Sequence, residues 1–452
     1  VLDEVLVVGS RVPGRLATET AAPVDVFSGE MLAQRGFTDL GKVLGFLAPS
    51  FNYPRSQTSP SSSSTRGFSL RGLGPDQVLI LVNGHRRHAS SVLNFNNGVG
   101  RGTVPVDINT IPVAAIARIE VLRDGAAAQY GSDAIAGVIN IVLRSDARGG
   151  EATLTTGVTE DGDGQSVVGA GRLGLRLGHD GFLTVTGEAR NRKPTNSAEI
   201  DPRVGRVSQR TGDPEATNLL LTANAEVGLP GDARAYGFGT LAWRDSTSTP
   251  LFRLPSVAPT LYPNGFLPYV NLDMLDLGGA VGVRGEMAGW RYDLSDTAGY
   301  DRGDFKLSNS VNTSLGAGSP TRFDSGGVTY GQNIANLTVS RAFRGVMAGA
   351  NLALGLEHRR ETFKIRSGET ASFTGAGAQG FPGFNPPEPI DVDRHASAAF
   401  VDAEFSPVNG LDIGVAGRAE DYSDFGRKAT GKVSAFWRAT PWLAARTTAS
   451  TG

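Results

Sequence analysis

The chain contains no cysteine. Disulfides, thiolate metal sites and cysteine nucleophiles are therefore excluded together. It also lacks an excess of either charge, with a formal net value of −2 at pH 7. A nucleic-acid partner and a polybasic membrane contact are not indicated. No uninterrupted apolar run approaches the ~18 residues of a transmembrane helix. The opening residues, VLDEVLVVGS, lack the basic region and cleavage site of a signal peptide. The expectation is either a cytosolic chain or one whose signal has already been removed. A mean hydropathy of −0.14 does not exclude a membrane. A transmembrane β-strand needs only ~10 residues, every second one facing lipid.

What is abundant is glycine, 60 residues in all. Together with many Thr, Val and Ala, it suggests β-structure with tight turns. Residues 1–148 read as a small α+β domain. Leu40, Val43, Leu44 and Leu47 fall at helical spacing, and Pro49 ends the run. QVLILVNG reads as a buried strand closed by an Asn-Gly turn, and STRGFSLRG and AIAGVINIVLR as further strands.

From residue 149 to 452 the pattern becomes two-residue alternation. Leu219, Leu221, Ala223, Ala225 and Val227 share one face, opposite Leu220, Thr222, Asn224 and Glu226. Leu352, Leu354 and Leu356 oppose Glu357, Arg359 and Glu361; Leu411, Ile413 and Val415 oppose Asp412, Arg418 and Glu420. Such a period gives each strand one apolar and one polar face. Short turns near His179, Asp232, Gly289, Gly345, Asn409 and Pro441 alternate with long Pro/Gly-rich links, about 191–214, 246–276, 301–329 and 362–394. Outer-membrane barrels show this asymmetry of short inner turns and long outer loops. A soluble β-sandwich or solenoid also alternates.

Two stretches carry a family resemblance. FSLRGLGPDQVLILVNGHRR and, after it, IARIEVLRDGAAAQYGSDAIAGVINIVLR resemble the plug domain of TonB-dependent outer-membrane receptors. RAEDYSDFG and PWLAARTTASTG resemble barrel segments of the same family. The resemblance implies a mainly β protein: a small α+β plug, residues 1–148, followed by an antiparallel transmembrane β-barrel from residue 149. About thirteen strands are legible, against ~22 in plugged transporters. The barrel is therefore expected to be incomplete in this chain, which is read as stopping mid-barrel.

The implied function is active uptake of a scarce nutrient across the bacterial outer membrane, with a ferric siderophore first. Cobalamin, haem or an oligosaccharide, or a receptor that binds and signals without transport, are the alternatives. The implied partners are TonB with its inner-membrane energising complex, outer-membrane lipid and a small-molecule substrate. No covalent chemistry, catalytic residue, cofactor or metal is implied.

The resemblance also assigns candidate residues. Asp3, Glu4, Val5, Leu6, Val7 and Val8 look like the segment that TonB grips by strand addition. Arg71 and Arg123 match the plug's arginine motifs, with Glu357 and Glu420 as partners locking the plug to the barrel. Substrate contacts are expected at the plug apices, from Tyr53, Arg55, Arg86, Arg87, His88, Asn94, Phe95, Asn96 and Arg101. Arginine suits oxygen-rich anions such as many ferric siderophores.

Other signals do not carry chemistry. GAGRLG and GAGAQG fit a GxGxxG pattern, but neither opens a helix inside a βαβ unit. DGDGQS begins like a calcium loop but has no distant closing Glu. His85 and His88 have no third metal ligand.

Overall fold

A computed structural model describes residues 8–12, 15, 17–33, 39–54, 63–94, 100–388 and 390–452. The N-terminal part holds β1 Val24–Ser28, α1 Gly29–Ala33, α2 Leu40–Leu47, β2 Phe51–Asn52, β3 Ser69–Leu70, β4 Val78–Val82, β5 His85–Arg86, β6 Ile116–Leu122, α3 Ala127–Tyr130 and β7 Gly137–Leu143. α2 is the helix read from the sequence. Asp39 caps it by accepting a hydrogen bond from the Gly41 N–H, and Leu40, Val43 and Leu44 are buried. β4 is buried at every residue. The following Asn83 and Gly84 both take positive φ, 49° and 84°, as a two-residue Asn-Gly hairpin requires.

A five-stranded sheet, in the order β1-β6-β7-β4-β5, organises this domain. β4 and β7 run parallel and the other pairs antiparallel. One face packs Ile80, Val82, Ile119, Val121, Ile139 and Ile141 against α2 and its surroundings. The other packs Val8, Leu79, Leu81, Leu122 and Val138 against Ala126 and Ala134, which flank α3.

The remainder is a thirteen-stranded antiparallel sheet. Its strands are β8 Gly150–Gly157, β9 Ser166–Leu177, β10 Gly181–Arg192, β11 Glu215–Gly228, β12 Arg234–Ser248, β13 Tyr269–Met287, β14 Trp290–Ser308, β15 Phe323–Phe343, β16 Ala350–Arg366, β17 Ile390–Val408, β18 Leu411–Tyr422, β19 Gly426–Thr440 and β20 Leu443–Ser450. Each strand pairs with its sequence neighbours, and β8 and β20 form the two edges. The sheet curls around the N-terminal domain. Leu219, Leu221, Leu241, Val281, Leu294, Leu354, Leu356 and Val415 point outward and are exposed, as in the apolar band that outer-membrane barrels present to lipid. Thr222, Glu226, Arg418 and Glu420 point inward and are buried.

Three of the long outer links are shorter than the sequence suggested, because the strands extend further. β13 begins at Tyr269 and β14 ends at Ser308. The alternation inverts in these extensions. Val270, Leu272 and Met274 face inward, with Phe305, Leu307, Phe323 and Val328 beside them. Asp273 and Asn271 occupy the other face. Above the apolar band water wets the outside, so polar groups belong there. The inner apolar face is covered by the loop between β16 and β17, whose Phe381 stacks on Phe305 at 4.6 Å.

Candidate functional site

The N-terminal domain meets the sheet through charged and polar contacts, and one set of them lies at β13 and β14. Gly278, Asp276 and Met274 of β13 lie opposite Gly299, Asp301 and Gly303 of β14. Period two puts all six on the inner face. The segment after β5 docks there. Asp276 binds the Arg87 guanidinium and accepts from the His88 ring Nε2 at 2.9 Å. The Ser91 N–H and hydroxyl both donate to Asp301 Oδ1 at 2.5 Å. Val92 rests over Gly303. The glycines leave the space that the Arg87 and His88 side chains fill.

A second seam runs along β10–β12. Asp213 binds Arg66 and accepts from Lys42 Nζ at 2.6 Å. Arg244 pairs with Asp107 and donates to the Ser64 carbonyl at 2.8 Å. Burial opposes the charge on Asp213, but Arg66 and Lys42 outweigh it and hold its carboxyl far below the usual carboxylate range. Tyr53 lies inside this network. Its hydroxyl accepts from Asn109 at 2.7 Å, and the Arg66 guanidinium stands 5.3 Å from its ring centroid.

At the inner end a third contact fixes the start of the chain. Val8 is fully buried in the N-terminal domain. Beyond it, Glu404 of β17 accepts from Ser10 Oγ at 2.8 Å, from the Arg11 N–H at 2.8 Å and from Arg15 at 3.2 Å. The Arg11 guanidinium lies over Phe400 and Tyr130, at 4.6 and 5.5 Å. Nearby, Gln129 donates to Asp402 at 2.7 Å, and Lys432 pairs with Asp124 at 2.8 Å.

Near the outer end, between this domain and β15–β18, lies a cavity of about 390 Å³. Tyr330, Arg359, Glu361, Arg394, Tyr422 and Phe425 line it from the wall, and Arg86, Ser132 and Asp133 from the N-terminal domain. Glu361 accepts from Tyr330 at 2.5 Å and from Arg394 at 2.6 Å. The Tyr422 hydroxyl accepts from Arg359 at 3.1 Å and bonds Ser132 at 2.9 Å.

Residues 17–138 match the TonB-dependent Receptor Plug Domain family. Residues 150–452 match the family of TonB dependent receptor-like β-barrels. The chain belongs to the TonB-dependent receptors. It is 34% identical over 171 residues to the iron-regulated outer membrane virulence protein of Vibrio cholerae, an alignment covering 36% of this chain and 24% of that protein. It is 37% identical over 105 residues to the vitamin B12 transporter of Vibrio vulnificus, covering 22% of this chain and 15% of that one. The ferric enterobactin receptor of Pseudomonas aeruginosa, solved with enterobactin, superposes with a TM-score of 0.71 at 15% identity. That match covers 96% of this chain and 62% of the other. At such identity the likeness is one of fold. The chain spans less than two thirds of the length of these relatives.

In this TonB-dependent receptor the residues expected from sequence are placed unevenly. Arg71 and Arg123 do not pair with Glu357 and Glu420. Arg71 follows β3 at a positive φ of 56°, and its guanidinium turns back to the Ala136 carbonyl at 3.3 Å. Arg123 pairs at 2.8 Å with Asp25 on neighbouring β1. Both bonds tie the plug to itself. Glu357 and Glu420 are held by Arg418 of the barrel wall, at 3.2 and 2.9 Å. The ion pairs that cross the seam include those of Arg15, Lys42, Arg66, Arg87, Arg244 and Lys432 instead, with Arg192–Asp39 and Arg438–Glu19 at 3.9 and 3.5 Å.

Of the expected substrate contacts, Arg86 lines the outer cavity. Arg87 also borders it, but with His88 is committed to Asp276. Tyr53 is enclosed by Arg66 and Asn109, and Asn94 is buried with its backbone bonded to Thr103 and Gly102. Arg101 is exposed. Val8, the last of the expected TonB contacts, is instead buried in the plug core, while residues 3–7, Arg55, Phe95 and Asn96 lie outside the described residues. Sequence reading missed Asp276, Asp301 and Asp213 as anchors. One signal was available: Asp276-x-Gly278 and Gly299-x-Asp301-x-Gly303 each set a carboxylate beside glycine on one face.

Proposed function

We propose that this protein works in TonB-energised uptake across the bacterial outer membrane, with a ferric siderophore as cargo. The observation that supports this most is the outer cavity between plug and wall. Its lining gathers Arg86, Arg359 and Arg394 with Tyr330, Tyr422 and Phe425, groups suited to an oxygen-rich, partly aromatic anion. TonB would take hold of residues 3–7, up to Val8, which is buried in the plug core. The segment next to them is tied to Glu404, so force applied there reaches both the plug core and the wall. The Vibrio vulnificus relative favours cobalamin as the second reading.

The test is uptake in iron-starved cells expressing the protein from its complete gene, with and without residues 3–7. Radiolabelled ferric enterobactin and cobalamin are offered separately. Energy-dependent accumulation of the iron complex that disappears with the deletion supports the proposal. Accumulation of cobalamin alone moves the second reading ahead, and indifference to the deletion of residues 3–7 removes TonB coupling through this segment.

A further inference from the structure

A second cavity, about 570 Å³, lies deeper along the same side of the plug. Asn83, His85, Tyr236, Arg284, Asp293 and Glu357 are among its lining. Leu79 and Arg86 border both this space and the outer cavity. Leu79 belongs to β4 and is packed in the plug core, so it cannot move without unpacking the sheet. Arg86 ends β5, a strand of only two residues, and its long side chain borders both spaces.

The way Arg86 is held is uneven. Its Nη1 pairs with Asp133 Oδ2, and Nη2 donates to the Tyr130 carbonyl at 2.7 Å. The other carboxylate oxygen, Asp133 Oδ1, is buried with no hydrogen-bond partner among the described residues. The pair is thus single-pronged, although a guanidinium can offer parallel donors to two oxygens at once. Gly131 makes this closeness possible. It has a φ of 116°, and a Cβ there would stand 2.8 Å from Arg86 Nη2. Arg359 and Glu357 of the wall also act electrostatically on this guanidinium.

We infer that the Arg86 side chain is a gate between the two cavities, opened when an oxygen-rich anion in the outer cavity replaces Asp133 on the guanidinium. A ligand with two adjacent oxygens, a catecholate or carboxylate, satisfies the arginine fork better than the single Asp133 oxygen does. Turning toward such a ligand draws the side chain out of the constriction. It also withdraws the donor from the Tyr130 carbonyl. Tyr130 in turn receives the Gly9 N–H on its hydroxyl at 3.4 Å and carries Arg11 over its ring. Ligand capture outside is thereby joined to the segment beside residues 3–8.

The idea rests on the uptake reading above, but its test needs no energy source. Passive entry of nitrocefin, an anionic cephalosporin, is followed by its hydrolysis by a periplasmic β-lactamase. The cells lack TonB and the major porins and express the complete protein at matched outer-membrane levels. Arg86→Gln and the nearly isosteric Asp133→Asn should each admit nitrocefin several-fold faster than the unaltered protein. Arg123→Gln, a plug arginine whose bonds lie within the plug, should not. No increase in either test variant, or an equal increase in Arg123→Gln, overturns the gate. A leak in both test variants alongside uptake that ignores deletion of residues 3–7 keeps the gate and discards the TonB reading.

Discussion

Gly299 of the barrel wall lies directly beneath the imidazole of His88, so close that a Cβ at that position would overlap the ring. Gly278, opposite it in register, is filled in the same way by the Arg87 guanidinium. The wall is built to accept two plug side chains and to bring both to the Asp276 carboxylate.

Gly299→Val should therefore push the docking segment off the wall. Overpacking of this kind costs ~1–3 kcal/mol. The barrel strands, with their own ladder, should persist. Limited proteolysis of the purified full-length protein in detergent reads the plug separately from the barrel. Faster cleavage within residues 87–94 is expected, and an unchanged digestion pattern would contradict the docking described for His88.

Asp276→Leu should be worse than the double change Asp276→Leu with Arg87→Met. Arg87 and Asp276 are both nearly inaccessible, with side chains 4% and 3% exposed. Removing one partner leaves a buried charge uncompensated, at a cost of ~3–5 kcal/mol. Removing both leaves an apolar contact of similar volume. Hydrogen exchange at the plug amides measures the difference. Equal loss of protection in the single and double variants would mean that the pair is not coupled.

The limits of sequence reading follow from the same wall. β4, α2 and the Asn83-Gly84 turn were legible because local rules determine them: apolar run, cap and positive φ. The alternation of Leu354 and Leu356 against Glu357 was legible because lipid and lumen impose opposite demands on one strand. The start of β13 was not, because Val270, Leu272 and Met274 face inward beneath a loop rather than outward to lipid. The seam pairs were illegible for another reason. Arg71 and Arg87 look alike in sequence, and which of them meets a wall carboxylate depends on how the plug sits in the barrel. Asp276 is 189 residues from Arg87, and no local pattern reaches that far.

His88 predicts a pH dependence. Burial, and then the adjacent Arg87 guanidinium, push its imidazole below the ordinary value, against the opposing pull of Asp276. The folded ring is neutral, with Nε2–H donating to Asp276, under conditions where the unfolded chain is already protonating. The unfolded state then binds more protons, so stability rises with pH. Plug protection should be constant above the unfolded value of ~6.5 and decline as pH falls below it. His88→Asn, which keeps a donor but does not titrate, should flatten that decline. Hydrogen exchange at about pH 7.5 and about pH 5.5, on either side of the ordinary histidine pKa, makes the comparison. Identical declines in both proteins would assign the effect to other groups.

Glu404 offers a way to separate holding from pulling. Its carboxylate accepts from Ser10 and Arg11 and pairs with Arg15, while Val8, two residues before Ser10, remains in the plug core. The start of the chain therefore has two independent attachments, one to the wall and one to the plug. Glu404→Gln keeps an acceptor oxygen but loses the charge that strengthens all three contacts. Hydrogen bonds to a charged group are worth ~1.5–3 kcal/mol. The substitution should free residues 9–15 without unpacking Val8. A spin label at position 12 would then gain mobility, while one at position 30, exposed on α1, would not. Greater mobility at both sites would show that Glu404 supports the plug as a whole, and no gain at position 12 would show that Val8 alone anchors the segment.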